Sequence, residues 1–326
     1  MVFNFVYFFP EVRMSKPVLI CGSVAYDTIA VFEGRFKDHI LADRIHALSV
    51  SFLVPSMRRE YGGCAGNIAY NLKLLGGTPL PVATVGEDAT DYLQRFEQLG
   101  IDVGNIVVAP GTLTAQCFIT TDLDDNQISA FHPGAMELSA GNDVTGKSAG
   151  WAIVAPDSKA GMIAHAQRLH AQGTPFIFDL GQAMPLFDGD DLKQMISLAK
   201  ALTVNDYEAS VVEQRTGKSI AELARNLQAV VVTRGADGAS LFEGGHEKQI
   251  DPVIPASIVD PTGCGDAHRA GLLYGLTLGW SWLDACKLGN LMGSLKIASR
   301  GPQNHEPTRA EINAQLHAHF GLRLPG

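Results

Sequence analysis

Short apolar runs alternate with amphipathic stretches of helical period along most of this chain, and that alternation is the pattern of a parallel sheet wrapped by helices. The runs Val18–Cys21, Pro81–Val85, Trp151–Ala155, Phe176–Asp179, Ala201–Val204 and Val230–Thr233 predict strands. Between them, Asn67–Leu75 carries Ile68, Leu72 and Leu75 on one helical face, and Asp190–Ala199 and Ile220–Leu227 predict further helices. The last third becomes helical over Asp266–Leu278, Trp282–Ser299 and Arg309–Phe320. At 326 residues and 46% hydrophobic content, the chain can bury a substantial core.

Two stretches break this rhythm. Leu48, Val50, Phe52 and Val54 alternate with Ser49, Ser51 and Leu53, the period of a half-exposed strand, and Thr112–Phe131 reads as a hairpin turning at Asp124-Asp125-Asn126. Both look antiparallel, so they predict a small sheet outside the main one, usable as a lid; an edge extension of the main sheet is the competing arrangement. With no internal repeat or long linker, the expectation is one catalytic unit over residues 14–326, with lid segments at about 28–60 and 110–135. The segment Met1–Arg13 is read as an N-terminal extension, with Met14 as the natural start. Its apolar run Val2–Phe9 is too short to span a bilayer and has neither a basic leader nor a small-residue cleavage site.

A formal charge of −9 without a basic stripe argues against a nucleic-acid surface. The five cysteines form no CxxC pair and the ten histidines no HExxH, so neither a disulfide framework nor a zinc site is indicated, and a cytoplasmic home is expected.

Chemistry concentrates at glycine-rich junctions. In Asp260-Pro-Thr-Gly-Cys-Gly-Asp266, Gly263 and Gly265 let a polyanion approach the backbone, and the first N–H groups of the following helix, from Gly263, Cys264 and Gly265, point at its oxygens. Asp266 on the same turn is placed to take a proton from a reacting hydroxyl. An ordinary capped helix start is the competing reading. Gly62-Gly63-Cys64-Ala65-Gly66-Asn67 is a second such junction, whose Asn67 offers the donor and acceptor that sugar hydroxyls need. Asp27, after the apolar strand that ends at Gly22-Ser23, could accept from two adjacent hydroxyls, or be a turn residue. Asn205-Asp206-Tyr207-Glu208 could hold waters around Mg²⁺ or start a surface helix. Thr233-Arg234-Gly235-Ala236-Asp237-Gly238 offers Thr233 to a phosphate, with a plain hairpin turn as the equal competitor. GxGxxG fails at both glycine loops and no GxxxxGK[ST] exists, which disfavours a dinucleotide dehydrogenase and a Walker-type ATPase.

Taken together and in order, the Asp260–Asp266 loop, the Gly62–Asn67 junction, the Asn205–Glu208 element and Val85-Gly86-Glu87-Asp88 with Leu99-Gly100-Ile101-Asp102 resemble the ribokinase-like (PfkB) family of carbohydrate and nucleoside kinases, over nearly all of the chain after Met14. Within it, Gly34-Arg35-Phe36, Leu48–Val54, Gly63–Asn67, Phe131-His-Pro-Gly-Ala-Met136 and Asp260–Gly263 look most like the bacterial adenosine kinases.

The resemblance implies an α/β fold, a three-layer α/β/α sandwich with a small β-sheet lid, often a homodimer interface. It implies ATP-dependent phosphorylation of the 5′-hydroxyl of adenosine, with Asp266 as base and the N–H groups of Gly263, Cys264, Gly265 and Asp266 on the transferring phosphate. Asp27, Gly63 and Asn67 would hold the ribose, Ser23 and Ser51 line the pocket, and Phe131 stack on the purine. ATP would lie against Asn205, Thr233, Gly235, Gly238, Gly263 and Gly265, with Mg²⁺ held through water by Asn205 and Glu208. Asp260 and Thr262 would serve a monovalent cation such as K⁺. A free-sugar kinase and a non-catalytic nucleoside sensor are the alternatives.

Two positions depart from the family pattern: His268 stands where many members have Phe, and Cys117 where related adenosine kinases carry an aromatic against the base. An alternating strand would turn the neighbouring Phe118 to the opposite face.

Overall fold

The computed structural model describes residues 15–40, 49–124 and 126–325. Met1–Arg13, Met14, Leu48 and Asp125 lie outside them. In chain order the strands are β1 (Val18–Cys21), β2 (Ala25–Val31), β3 (Ser56–Gly62), β4 (Pro79–Gly86), β5 (Ile106–Ala109), β6 (Ala115–Thr121), β7 (Gln127–His132), β8 (Trp151–Val154), β9 (Phe176–Asp179), β10 (Ala201–Asn205), β11 (Ala229–Thr233), β12 (Ala239–Glu243) and β13 (His246–Ile250). The helices are α1 (Cys64–Leu74), α2 (Thr90–Gln98), α3 (Lys159–Ala171), α4 (Gly189–Leu198), α5 (Asp206–Thr216), α6 (Ile220–Ala224), α7 (Cys264–Thr277), α8 (Trp282–Ile297) and α9 (Arg309–Phe320).

Nine strands form the main sheet in the order β13-β12-β11-β10-β9-β8-β1-β4-β5. Pairing is parallel from β5 to β11, and β12 and β13 add antiparallel at one edge. Alternate residues of β1 serve opposite layers. Val18 and Ile20 join the cluster that holds Ile68 and Leu72 of α1 with Leu272 of α7 and Leu288 of α8. Leu19 and Cys21 join the one with Met162 and Leu169 of α3 and Leu192 of α4. Each such buried side chain contributes about 1.5–3 kcal/mol of transfer free energy, which is why a strand of four residues can anchor the centre of the sandwich. The family-like α/β sandwich is the observed architecture.

After β1 the chain leaves the sheet through Gly22-Ser23-Val24 and enters a second sheet of order β3-β2-β6-β7, the lid. Two expectations need correction here. The segment expected as a strand over Leu48–Val54 is irregular from Ser49 to Val54, and the strand forms later, at Ser56–Gly62. The alternation there is a packing pattern without a ladder: Phe52 turns inward against Phe32 and Phe36, with ring centroids 4.8 and 5.0 Å apart. The lid is also mixed, since β2 pairs with β6 in parallel, and only its β2–β3 and β6–β7 pairs are antiparallel. The hairpin joining β6 to β7 turns where expected, with Asp122 accepting from the backbone of Asp124 and Asn126.

No helix among the described residues is long and apolar enough to cross a membrane.

Candidate active site

The two glycine junctions meet outside the carboxyl ends of the central strands, where open α/β sheets bind ligands. Gly263 is the N-cap of α7, at φ 80°. A Cβ there would lie 2.7 Å from the Pro302 side chain. The first intrahelical bond runs from the Ala267 N–H to the Gly263 carbonyl at 2.9 Å, so the N–H groups of Gly265 and Asp266 fall in the turn ahead of it. The Cys264 N–H already donates to the Pro261 carbonyl at 3.1 Å.

Asp266 is partly buried and accepts from the Asn67 amide, Nδ2 to Oδ2, at 2.8 Å. Desolvation pushes its carboxyl up to about 7, against the lowering effect of Asn67 and Arg269. Such a carboxylate can accept a proton near neutral pH. The Asn67 amide is oriented by Gln303, whose Nε2 donates to Asn67 Oδ1 at 3.0 Å and to the Tyr92 hydroxyl oxygen at 2.7 Å. Tyr92 in turn donates to the Gly62 carbonyl at 2.7 Å, which ties the amide to the first glycine junction.

Asp27 follows the carboxyl end of β1 as expected, but it is not a turn residue: it lies within β2 of the lid. It pairs with Glu60 of β3 and Cys117 of β6, and Cys117 pairs with Phe131 of β7, so all four stand in one cross-strand row. Phe118 pairs with Thr28 and Ala130 in the next row, on the opposite face, as the alternation predicts. Burial, then Glu60 and Asp260, raise the Asp27 carboxyl to about 6. Gly62 makes room for it: a Cβ there would lie 2.6 Å from Asp27 Oδ2.

Gly63, at φ 81°, caps α1. Ser23 is committed to that helix start, its Oγ accepting from the Cys64 N–H at 3.0 Å and its carbonyl from the Ala65 N–H at 2.9 Å. Ser51 lies on the irregular segment before β3 with an exposed side chain, and Phe131 is 52% exposed.

Beyond Asp266, α7 is pinned to the sheet by Arg269, which donates Nη2 to Asp179 Oδ1 at 2.8 Å and Nε to the other carboxylate oxygen. Both residues are buried. Asn205 and Glu208 form a capping box at the start of α5: Asn205 Oδ1 accepts from the Glu208 N–H at 2.7 Å, and Glu208 Oε2 from the Asn205 N–H at 2.8 Å. Burial and then Asp179 raise the Glu208 carboxyl. Asp260 accepts from Thr262 N–H at 2.9 Å and from Gly301 N–H at 2.8 Å, one on each carboxylate oxygen.

Beside this loop is a cavity of about 380 Å³. Thr233, Gly235, Gly238, Cys264, Gly265 and Asn290 line it together with apolar Val253, Ile254, Pro255 and Ile258. Thr233, Gly235 and Gly238 sit at the β11–β12 turn, so this segment is a hairpin whose turn also lines the cavity. Gly263 and Asn205 are not among the lining residues.

Sequence reasoning missed Asp179, Tyr92 and Gln303. Asp179 ends a recognisable strand, but nothing local marks it as the partner of Arg269, and Gln303 lies in a loop with no signal of its own.

Residues 21–309 match the pfkB family of carbohydrate kinases. The nucleoside kinase of Methanocaldococcus jannaschii is 26% identical over 275 residues, covering 83% of this chain and 90% of that one. The structure of the Burkholderia thailandensis nucleoside kinase in complex with inosine is 51% identical, covers 95% of this chain and 100% of that one, and superposes with a TM-score of 0.86. The ribokinase of Arabidopsis thaliana, solved with ribose and ATP, shares the fold at 18% identity, covering 93% of this chain and 99% of that one, with a TM-score of 0.75. The match spans both glycine junctions and all of the carboxylates that converge on them: the chain belongs to the pfkB family of carbohydrate kinases.

Proposed function

We propose that this chain is an ATP-dependent nucleoside kinase that phosphorylates the 5′-hydroxyl of a purine nucleoside, adenosine in the first instance, giving the monophosphate and ADP. The observation that carries this reading is the Asn67–Asp266 hydrogen bond, which joins the sugar-like junction to the phosphate-like loop. Asp27, Gly63 and Asn67 hold the ribose hydroxyls, with Ser23 fixing the helix start beneath them and Ser51 on the segment that leads into the lid. Cys117 and then Phe131 follow Asp27 along the lid row, where the base would lie. The 51% identical kinase was solved with inosine, which supports a nucleoside over a free sugar.

ATP lies in the cavity along Thr233, Gly235 and Gly238, its terminal phosphate against Gly263 and Gly265. Asp266 takes the proton of the 5′-hydroxyl as that oxygen attacks the γ-phosphorus. The Gly265 and Asp266 N–H groups and the α7 dipole stabilise charge on the transferring group.

The residues fit a hydrated divalent cation. Asp179, Asp266 and Glu208 all act on the single guanidinium of Arg269, which leaves the cluster with surplus negative charge. Among the described residues no group of three or more His, Cys, Asp or Glu is arranged to ligate a metal directly, so Asn205 and Glu208 would hold the water shell. Mg²⁺ when bound neutralises the phosphate oxygens. Closure of the lid excludes water as a competing acceptor. The outer lid face exposes Met57, Phe118 and Ile128, which suits contact with a second copy, and light scattering would test that.

The decisive experiment is ADP release from Mg²⁺-ATP across adenosine, inosine, guanosine, cytidine, ribose and fructose, with product mass. Preferential conversion of a purine nucleoside supports the reading. Turnover of ribose or fructose instead would assign the pocket to a free sugar, and binding without turnover would make the protein a sensor.

A further inference from the structure

The K⁺ expected at Asp260 and Thr262 does not fit the residues found there. Both Asp260 carboxylate oxygens are engaged by backbone N–H groups, and its carbonyl accepts from Lys296 Nζ at 2.7 Å. The same ammonium donates to the Ser299 carbonyl at 3.1 Å. Lys296 is 0% exposed, in the last turn of α8, where the negative end of the helix dipole favours a cation. A second monovalent cation at the Asp260 carbonyl would stand against this ammonium in a poorly screened setting, where like charges repel strongly.

The ammonium is central to a tight junction. The N–H groups of Val259 and Asp260 both donate to the Ile297 carbonyl, at 2.9 and 3.1 Å. Gly301 N–H closes the loop from the other side onto Asp260. Segment 259–262 is therefore strapped to the end of α8, and the strap leads directly into Gly263 and the first turn of α7 with Asp266. Bringing two backbone carbonyls from separate segments onto one positive centre is what a bound alkali cation does; here the centre is covalently part of the chain. Burying an ammonium is costly, and it is retained where charge-assisted hydrogen bonds compensate it.

We propose that the Lys296 ammonium is a tethered monovalent cation that positions the glycine loop ahead of Asp266, so that phosphoryl transfer by this chain does not depend on added K⁺. Lys296 is thus a positioning residue, and its effect on turnover rests on the kinase reading above.

The test compares the full-length chain and Lys296→Met in KCl, NH₄Cl, NaCl and tetramethylammonium chloride at one ionic strength. Two readouts are taken: ADP release with the best nucleoside, and amide hydrogen exchange over 259–265. The wild-type chain should show the same kcat and the same exchange in all four salts. Lys296→Met should lose about tenfold or more in kcat in tetramethylammonium, the scale of one charge-assisted hydrogen bond, exchange faster over 259–265, and recover both in NH₄Cl or KCl. A wild-type chain strongly activated by K⁺ would overturn the proposal, and so would a Lys296→Met defect that no small cation relieves. If Lys296→Met does not fold, the wild-type salt series decides. A wild-type chain inactive in every salt would refute the kinase reading, while exchange over the strap would still decide the role of Lys296.

Discussion

The side-chain amide of Asn67 donates to the carboxylate of Asp266 at 2.8 Å across 199 residues of sequence. The donor is held by Gln303, so the amide presents N–H rather than oxygen to Asp266. That bond favours the ionised carboxylate, while burial opposes it.

Replacing Asp266 by Asn should lower kcat by about a thousandfold, within the usual range for loss of a general base, with nucleoside binding by calorimetry largely kept. Near-normal turnover would show that another group takes the proton.

The raised Asp266 carboxyl also predicts a pH effect on stability. Its folded value of about 7 lies above the ordinary 3.8, so the folded chain holds this proton more tightly than the unfolded one. The contribution is fully present below about pH 4 and is lost as pH rises through 7. Asp266→Asn removes this loss, so its melting temperature should exceed that of the wild-type chain by a few degrees at pH 8 and converge with it toward pH 4. Melting curves at both pH values check this.

Asn67→Ala removes the hydrogen bond that holds the carboxylate ionised. The acid limb of the kcat profile, set by Asp266, should move to higher pH. A profile that falls in height without moving would place Asn67 in ribose binding alone.

Gly62→Ala pushes a Cβ to within 2.6 Å of Asp27 Oδ2. The expected result is a rise in nucleoside KM of about tenfold, the worth of a displaced charged hydrogen bond, with KM for ATP unchanged. An equal loss on both substrates would point instead to distortion of α1.

His268 is buried, neither ring nitrogen meets a partner in good hydrogen-bond geometry among the described residues, and burial, then Arg269, lower it from 6.5 to about 3 against the opposing effect of Asn290. Its folded form resists protonation, so the stability it contributes is present above pH 6.5 and is lost as pH falls toward 3. His268→Phe should flatten the fall in melting temperature over that window. A fall as steep as that of the wild-type chain would assign the acid sensitivity elsewhere, with His165 the next candidate because burial, then Arg168, lower it to about 4.

The parallel strands were legible because strands covered on both faces read as continuous apolar runs, as in Phe176–Asp179. The lid was less so. β3 reads Ser-Met-Arg-Arg-Glu-Tyr-Gly and becomes a strand through pairing with β2, which local propensity does not report. The edge strand His246–Ile250 is mostly polar and exposed for the same reason. At the site, Asn67 and Asp266 were legible because each sits in a glycine-rich junction whose chemistry is local. Asp179, Gln303 and Lys296 act through partners remote in sequence, and their side-chain types alone carry no hint of that.

The strap and the Asn67–Asp266 bond also order events during synthesis. Asp27, Gly63 and Asn67 leave the ribosome early, and Asp266, Lys296 and Gln303 only near the end, so an N-terminal fragment has the first glycine junction without Asp266 or the loop that leads into it. A chain interrupted after the main sheet also lacks α7 and α8, whose Leu272, Leu288 and Leu291 complete the core against β1 and α1, so the two glycine junctions come together only once synthesis has passed Gln303.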